Sequence, residues 1–428
     1  MFLLAIGCGR EPTPGIADGD LGIADSDLGT ETGTDTGETA LGDSAAPTNC
    51  ALRTGLRDDF AVYPLTEPPA LAAGEKVVDA TFGTVTLRIT DADDGDMCTH
   101  GYSYWPTFNT DNTRLVYACD GADVLADFDP TLLTVTAKRP LFTTRPAGRS
   151  ISWDDVSWSS EAAETMFAHD YRALYAYDVA TGAFTAVHDL TANLPDGYWL
   201  AQMSADDAHD TFAWTVQDPN YVRLGWVVYR ASTNSLSLSP MGIPVDEVQL
   251  DKSGRYLVVK TGQQGDGIVE VQVVDLETGT TTDIVDGDPG YAPGHSDNGD
   301  GVVLGHDNWN NRITSRPLAS PADVKTVFSW QSDWTFDYHV SLRADDASWA
   351  LVSTYAGTAT EGLFHEEILQ VATDGSGAVR RLGQHHTVYA GYYSSPRATI
   401  SPDGCLVTFT SGWGAATSQD VFVLSLAG

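Results

Sequence analysis

The 428-residue sequence has 59 acidic and 23 basic residues, which gives a formal net charge of −36. Such a charge repels polyanions at long range, so we exclude DNA and RNA as partners. Hydrophobic residues make up 42% of the chain, enough for a substantial core, but no apolar run reaches the roughly 20 residues of a membrane-spanning helix.

The chain begins with a short apolar run, MFLLAIGCGRE, whose small residues precede Cys8. This arrangement resembles the lipobox of bacterial lipoproteins, in which the cysteine is lipidated after cleavage. We therefore expect residues 1–8 to be the remnant of a lipoprotein signal, with a precursor that starts upstream and export to the outer membrane or cell surface, periplasmic or extracellular. A segment without an export role is the alternative. Any membrane contact is expected only through the lipid on Cys8.

Residues 9–49 show neither helical nor strand periodicity and consist mainly of Gly, Thr, Asp, Ala and Ser. A segment of this composition buries too little apolar surface to offset its chain entropy, which predicts a disordered acidic spacer. Its nine acidic residues and one basic residue account for −8 of the net charge, so residues 50–428 carry −28.

A hairpin pattern is clearest in SPRATISPDGCLVTFTSGWG, residues 395–414. A short strand, Arg397 to Ile400, leads into the turn Ser401-Pro402-Asp403-Gly404, and a second strand follows from Leu406 to Thr410. Pro fixes φ at the second turn position, Asp bonds to its own backbone, and Gly tolerates positive φ, so the tetrapeptide favours a tight turn.

Degenerate copies of this hairpin recur at intervals of 45 to 58 residues. A period of about 40 to 50 residues, with four strands in each unit, is typical of β-propellers. The sequence therefore predicts an all-β fold, a seven-bladed β-propeller of four-stranded blades over residues 50–428. The seven turns are centred on Asp111, Glu161, Asp206, Ser253, Asp300, Asp345 and Asp403.

The last repeat ends at VFVLSLAG, which reads as the third strand of its blade, so its outer strand is missing. Propellers avoid an open edge by taking a strand from the other end of the chain. TFGTVTLRIT, Thr81 to Thr90, has the required alternation, and EKVVDA precedes it. We therefore expect this N-terminal segment to complete the last blade.

Four cysteines remain if Cys8 carries lipid, and an even number in an exported protein suggests two disulfides with three possible pairings. Cys98 precedes the first inner strand and Cys119 ends the following strand, which favours a local bridge. Cys50 with Cys405 would join the start of the domain to its last unit. The alternative is that Cys405 is a buried small residue.

Loops before each inner strand and between the second and third strands lie on one face of a propeller, and nine of the ten histidines fall in or beside them. Imidazoles bind metals or transfer protons, Tyr and Trp faces stack on sugar rings, and Arg neutralises carboxylates. This face is therefore the candidate ligand site, although the same residues could merely fill the loops. The candidate ligand-binding residues are Tyr104, Trp105, Trp153, Trp199, His306, Trp309, His385, His386, Tyr392 and Trp413.

The stretch HHTVYAGYYSSPRATISPDGCLVTFTSGWG, with GHSDNGDG and YHVSLRADD upstream, resembles the seven-bladed propellers of the TolB-like group, and within it oligogalacturonate lyase. The resemblance covers Asp91 to the C-terminus. That lyase family uses a manganese site of histidines and a glutamine. The corresponding positions here are Tyr392, Ser395 and Arg397, which do not match, whereas His339 matches the remaining histidine.

Related lyases pair His and Tyr as base and acid, with Arg holding the uronate carboxylate. The resemblance therefore implies a candidate catalytic set for β-elimination, although the acidic charge disfavours a polyuronate substrate. The set is His100, His295, His339, Tyr393 and Arg397.

The cofactor stays open, with a divalent cation, Ca²⁺ or Mn²⁺, as the candidate. DADDGD, Asp91 to Asp96, and SDNGDG, Ser296 to Gly301, have carboxylate spacings that a Ca²⁺ loop uses, but neither has the full EF-hand pattern, and solvated acidic turns are the alternative. No Gly-x-Ser-x-Gly or nucleotide-binding Gly loop is present, which argues against a serine hydrolase or an NTPase.

Together these features predict an exported, lipid-anchored, monomeric propeller that binds a carbohydrate or an envelope protein on its His- and aromatic-rich face. One alternative is a polysaccharide lyase that cleaves uronate-containing glycans by β-elimination. The other is a TolB-like scaffold in an envelope complex. Whether the protein is an enzyme is left open by the sequence.

Overall fold

The computed structural model describes residues 52–144, 146, 156–242, 244–261, 270–285, 294–307, 309–330, 335–356 and 362–428. Every described residue belongs to one unit, Pro47–Gly428. The expected signal and spacer, with Cys8, Cys50 and Trp153, lie outside the described residues. No helix in the described ranges is long and apolar enough to cross a membrane.

The described strands form seven antiparallel sheets, the blades of a seven-bladed β-propeller, which confirms the predicted fold. Two strands precede the first blade: β1 (Lys76–Val78) and β2 (Val85–Arg88). Blade 1 contains β3 (Cys98–Thr99), β4 (Arg114–Cys119), β5 (Ala122–Asp129) and β6 (Thr134–Pro140). Blade 2 contains β7 (Val156–Trp158), β8 (Thr165–Asp170), β9 (Ala173–Asp178) and β10 (Ala183–Asp189). Blade 3 contains β11 (Trp199–Ala205), β12 (Thr211–Gln217), β13 (Arg223–Arg230) and β14 (Ser235–Leu238).

The remaining blades repeat this order along the chain. Blade 4 contains β15 (Glu247–Leu250), β16 (Tyr256–Lys260), β17 (Val271–Asp275) and β18 (Thr281–Ile284). Blade 5 contains β19 (Ser296–Asn298), β20 (Val302–Asp307), β21 (Arg312–Pro317) and β22 (Lys325–Ser329). Blade 6 contains β23 (Asp337–Ser341), β24 (Trp349–Tyr355), β25 (Glu367–Ala372) and β26 (Val379–Gln384). A 3₁₀ helix, Tyr392–Ser394, precedes β27 (Thr399–Ile400), β28 (Leu406–Ser411) and β29 (Asp420–Ser425) of blade 7.

Blade 7 closes the ring with the N-terminal segment, as the sequence predicts. β2 pairs antiparallel with β29, with Val85 opposite Ser425 and Arg88 opposite Phe422. β1 then pairs with β2 as a fifth strand. The last blade is thus wider than the four-stranded blade that the repeat predicts, because EKVVDA also forms a strand.

The turns between strands are stabilised by side-chain hydrogen bonds of Asp and by the backbone freedom of Gly. In the Asp-x-x-Thr-Gly turn of blade 2, Asp178 Oδ1 accepts the backbone N–H groups of Ala180 and Thr181 at 3.0 and 2.8 Å. Gly182 follows at φ 72°, a left-handed conformation in which a side chain is strained. The side chain of Asp178 therefore replaces the backbone acceptor that a longer turn would supply.

The turns between the first and second strands of the blades, centred on the repeated hairpin motif, join one another around one face of the ring. Asn112 Nδ2 donates to Asp403 Oδ2 at 2.7 Å, which links blades 1 and 7. We call this hydrogen-bonded set the base ring and the opposite face the loop face. Further links are Thr110 to Ser160, Asp207 to Lys252, Lys252 to Gly299, and Asp345 to Pro402.

An N-terminal arm, residues 52–72, lies against blades 6 and 7. The backbone of Arg57 forms a bridge with Arg381 of β26. Arg381 is completely buried; its Nε donates to Glu367 at 2.8 Å and its Nη1 donates to the Ala61 carbonyl at 2.6 Å. The arm is therefore attached through a buried guanidinium as well as through backbone pairing.

The core is divided among the interfaces between neighbouring sheets, where alternate strand residues are buried. Cys98 and Cys119 form a disulfide between β3 and β4, as predicted. Cys405 is also disulfide-bonded. Its expected partner, Cys50, lies outside the described residues, so that pairing stays a prediction.

Candidate functional site

The inner strand of blade 1 is interrupted by His100–Pro106, which we call the channel loop. β3 pairs with the end of β4, Cys98 opposite Cys119, and Phe108 pairs with Leu115 further along the same strand. Side chains of the channel loop contact residues of blades 4, 5, 6 and 7. The loop therefore lies in the central channel, since that is where these four blades and blade 1 approach one another.

Four rings meet beside the channel loop and form what we call the imidazole cluster: Tyr102, His295, His339 and Tyr355. His295 bonds to both tyrosines, with 2.8 Å from its Nδ1 to the Tyr102 hydroxyl and 3.1 Å from its Nε2 to the Tyr355 hydroxyl. The His339 ring centroid lies 4.2 Å from that of His295 and stacks on Tyr355 at 4.7 Å. The structure thus brings together two predicted catalytic residues, from blades 5 and 6.

Within the described ranges, neither ring nitrogen of His339 has a hydrogen-bond partner, although only 1% of the residue is exposed. A buried polar group without a partner costs about 1–3 kcal/mol of stability. The other three members of the imidazole cluster surround its ring instead. An imidazole kept in this condition is a candidate for contact with a ligand or a reacting proton.

The imidazole cluster is connected to a carboxylate at the start of β23. The Tyr355 hydroxyl donates to Asp337 Oδ2 at 3.2 Å, so it accepts from His295 Nε2. His295 Nδ1 then accepts from the Tyr102 hydroxyl. His306 Nδ1 lies 3.6 Å from the other oxygen of Asp337. These groups form a continuous chain of hydrogen-bonding atoms from the channel loop to blade 5.

Burial keeps the imidazoles of this region neutral. Desolvation lowers the pKa of His295, and the positive charge of Lys260 lowers it further. Desolvation also lowers the pKa of His339 well below its ordinary value, and the positive charge of Arg397 adds to this effect. Burial alone would raise the pKa of Asp337, but the hydrogen bond from His306 and the nearby imidazoles hold it below its usual range. His295 and His339 are therefore unprotonated near neutral pH and offer little positive charge to an anion.

His100 and Arg397 are held together at the interface of blades 1 and 7. His100 Nε2 donates to the Arg397 carbonyl at 2.9 Å, and its Nδ1 accepts from the Thr410 hydroxyl at 2.8 Å. Arg397 Nη2 donates to Thr99 Oγ1 at 3.0 Å and to the Tyr393 carbonyl at 3.2 Å. Desolvation lowers the pKa of His100 to about 3. With both nitrogens bonded, His100 positions the backbone of Arg397.

On the opposite side of the channel loop, Tyr104 donates to Glu247, which also pairs with Lys260. Burial would raise the pKa of Glu247, but the charge and hydrogen bond of Lys260 lower it. The sequence interpretation missed Lys260 and Tyr355, which end the second strands of blades 4 and 6. Their position in the repeat could have indicated them, because His306 lies near the corresponding end of the second strand of blade 5.

The remaining candidates have separate environments. His385 is a structural residue, since its Nε2 donates to the Thr354 carbonyl at 2.7 Å and its Nδ1 accepts from Thr387 N–H at 3.1 Å. Trp413 contacts the His386 ring edge-on and donates to the Pro69 carbonyl of the arm at 2.8 Å. Trp105 is half-buried in the channel loop, Tyr392 lies in the 3₁₀ helix with its side chain outside the described part, and Trp153 is outside it altogether.

Exposed aromatic residues concentrate on the loop face. Six aromatic side chains in the described residues are strongly exposed, and Phe60 of the arm is the only one of them away from this face. All ten histidines, by contrast, are buried or half-buried. The loop face thus presents aromatic rings, with the imidazoles beneath. The five exposed rings are Tyr171, Tyr221, Trp309, Tyr389 and Tyr393.

No group of three or more His, Cys, Asp or Glu side chains in the described residues could hold a metal ion. In the DADDGD segment, Asp91 accepts backbone N–H groups and Asp94 pairs with Lys138 at 2.7 Å. In the SDNGDG segment, Asp297 accepts the N–H groups of Asn298 and Leu342 at 2.8 and 2.7 Å. These contacts are those of structural turns.

The space beneath the channel loop is part of the central channel. A cavity of about 30 Å³ lies there, lined by residues that include Tyr104, Gln202, Asp297 and Arg343. That volume holds about one water molecule.

No protein-family model and no curated protein sequence matches this chain. Solved structures do: an oligogalacturonate lyase in complex with manganese has a TM-score of 0.60 at 14% identity and covers 84% of this chain and 98% of its own. The oligogalacturonate lyase of Vibrio parahaemolyticus has a TM-score of 0.60 at 12% identity with the same coverage. A protein assigned as TolB in Agrobacterium tumefaciens covers 54% of this chain with a TM-score of 0.37. At these identities the likeness to the two lyases establishes the fold.

Proposed function

We propose that this protein is an exported propeller that binds a carbohydrate on its loop face. The observation that carries the proposal is the placement of five of the six strongly exposed aromatic rings of the described residues on this face. Aromatic rings stack on the C–H faces of sugars, and their polar edges bond to hydroxyl groups. The histidines are buried or half-buried, whereas these rings are accessible to a ligand.

The proposal is tested by titrating the purified protein with a panel of neutral and acidic oligosaccharides in a calorimeter. Binding that is weakened by Tyr393→Ala or Trp309→Ala, at unchanged thermal stability, would support it. An envelope protein recovered by crosslinking, with no oligosaccharide bound, would instead favour the scaffold function.

A uronate lyase is the second candidate, and the state of His339 favours it. This imidazole is neutral, has no hydrogen-bond partner, and lies in ring contact with Tyr102 at 5.0 Å. It could accept the proton that β-elimination removes, while the Tyr102 hydroxyl donates to the leaving oxygen and Arg397 orients the carboxylate. Because Tyr102 covers His339, substrate access requires the channel loop to move.

The lyase function is tested by the ultraviolet absorbance of unsaturated uronate products, with and without Mn²⁺ or Ca²⁺. An increase that disappears in His339→Ala would support it. No increase over a broad panel of uronate glycans would exclude it and leave carbohydrate binding as the function.

Export with lipidation at Cys8 is part of the proposed function. The lipobox-like MFLLAIGC sequence supports it. Expression in a Gram-negative host with a labelled fatty acid should give a lipid-labelled, membrane-associated protein, and Cys8→Ser should remove the label. Equal labelling of both forms would contradict lipidation at this residue.

A further inference from the structure

Three rings of blades 2 and 3 form a cluster at the edge of the loop face, which we call the rim cluster: Tyr171, Trp199 and Tyr221. The Trp199 ring lies 5.9 Å from that of Tyr171 and 5.4 Å from that of Tyr221, edge-on to both. Tyr171 is 44% exposed and Tyr221 64%. Trp199 is half-buried between them, so the three rings form one accessible aromatic surface.

The loop that carries Tyr221 is fixed before any ligand binds. Asp218 Oδ1 accepts the N–H groups of Asn220 and Val222 at 2.8 and 2.9 Å. Tyr221 N–H donates to the Asp218 carbonyl at 3.0 Å, and Tyr221 has a φ of 65°. A tyrosine in this left-handed region costs about 1 kcal/mol or more, and such strain is concentrated at ligand-binding positions. The hydrogen bonds keep the ring presented to solvent.

The side-chain amide of Gln217 connects the Trp199 indole with the backbone of Tyr221. Gln217 Oε1 accepts the Trp199 indole N–H at 2.9 Å, and Gln217 Nε2 donates to the Tyr221 carbonyl at 2.9 Å. The indole ring is therefore locked in orientation. Little rotamer entropy would be lost when a flat ligand stacks on it.

The charges around the rim cluster favour an uncharged ligand. Arg172, next to Tyr171, uses its guanidinium to donate to the carbonyls of Tyr198, Thr191 and Pro195. Arg172 therefore stabilises the loop, and its guanidinium is not directed to the carboxylate of a bound sugar. Asp218 is also close by, and the chain as a whole carries −36. A uronate would be repelled, whereas hydroxyl groups would not.

The size of the rim cluster favours a sugar over a protein. An aromatic side chain buries at most about 150–250 Å². Three partly exposed rings therefore fall well below the roughly 800 Å² that each partner contributes to a specific protein interface. They match the face of one or two pyranose rings.

We propose that the rim cluster is a stacking subsite for an uncharged hexopyranose ring of a glycan. This inference rests on the proposed carbohydrate-binding function and identifies its position and the class of its ligand. The sugar ring lies against Trp199 and Tyr221, and its hydroxyl groups reach the amides of Gln217 and Asn220.

The test uses calorimetric titration with linear neutral hexasaccharides of glucose, mannose and galactose, and with hexagalacturonate. Tyr221→Gly removes the ring and relieves the positive φ, so it should keep or raise the melting temperature. It should weaken binding of the neutral ligand about threefold to tenfold, which is the effect of one aromatic contact. Tyr171→Ala should weaken it similarly, while Phe60→Ala, at the exposed ring of the arm away from this face, should not.

Neutral-glycan binding that persists in the Tyr171→Ala/Tyr221→Gly double variant but is lost in Tyr393→Ala would overturn this subsite and leave the proposed function standing. Stronger binding of hexagalacturonate than of every neutral ligand would overturn the assignment to uncharged sugars. If no glycan binds the unaltered protein, both the proposed function and the subsite fail.

Discussion

His339 illustrates how a single residue can be retained against stability. Its imidazole is buried with both nitrogens unbonded, so an apolar side chain of similar size should fit better. We expect His339→Leu to raise the free energy of unfolding by about 1 kcal/mol, measured by urea denaturation. His385→Leu is the matched control. It removes two hydrogen bonds and should lower stability by about 2–4 kcal/mol. A loss in both variants would show that His339 has a structural role.

The buried histidines also predict how stability depends on pH. Burial lowers the pKa of His100 and of His385 to about 3 from an ordinary value near 6.5. The unfolded chain therefore binds more protons than the folded chain below pH 6.5, so stability is complete above that pH and falls as the solution is acidified. Asp206 acts in the opposite direction, because desolvation raises its pKa to about 6.

The pH dependence is measurable between pH 6.5 and 5, above the range in which most carboxylates titrate. Each of the two histidines should remove about 1.5 kcal/mol of stability over this interval. His385→Gln should reduce the dependence by that amount relative to the unaltered protein. An unchanged slope in this variant would mean that the pKa of His385 is the same in the folded and the unfolded chain.

Part of the site was predictable at the residue scale. His295 and His339 were predicted from loop position and do meet, because the loops before blades 5 and 6 adjoin at the channel. Tyr355 was not selected, since it lies at the end of a strand and not in one of the loops considered. The burial of the imidazoles was also not predictable, because it depends on the channel loop of blade 1.

At the scale of elements, blade 6 contains a buried ion pair between Glu367 and Arg381, and the guanidinium of Arg381 also donates to the arm. We expect Glu367→Gln to lower stability by about 3–5 kcal/mol, because it leaves a guanidinium buried without its carboxylate. The Glu367→Met/Arg381→Met double variant should lose less than this single variant. Arg380→Met is the control at a half-buried neighbour, and should cost under about 1 kcal/mol. Thermal unfolding measures all three, and equal losses in the single and double variants would contradict the argument.

The hairpins and the closing strand were predictable because each follows from a local rule: alternation, turn chemistry, or an unpaired edge. β1 and the arm were less accessible to prediction. Residues 52–72 have no strand period, and they are held by side-chain contacts such as that of Trp413 with the Pro69 carbonyl. Side-chain contacts of this kind do not produce a hydrophobic periodicity that the sequence could reveal.

At the scale of the whole molecule, ring closure depends on β2. Deletion of Ala51 to Thr90 exposes the edge of β29 and removes the outer strands of blade 7. We expect the truncated chain to lose its cooperative thermal transition. A synthetic peptide of residues 74–90, added during refolding, should restore it in part. A sharp transition at an unchanged temperature in the deletion would contradict closure by this strand.

The base ring has a consequence for motion. Its hydrogen bonds join turns of neighbouring blades, such as Asn112 with Asp403, so the blades are hinged at that face and freer to splay at the other. Amide hydrogen exchange should accordingly be slow near Asn112 and Lys252 and faster near Tyr171 and Tyr389, measured by mass spectrometry of peptic fragments. Uniform exchange at both faces would contradict this. If exchange differs between the faces as expected, the loop face of the propeller widens and narrows while the diameter of the base ring stays constant.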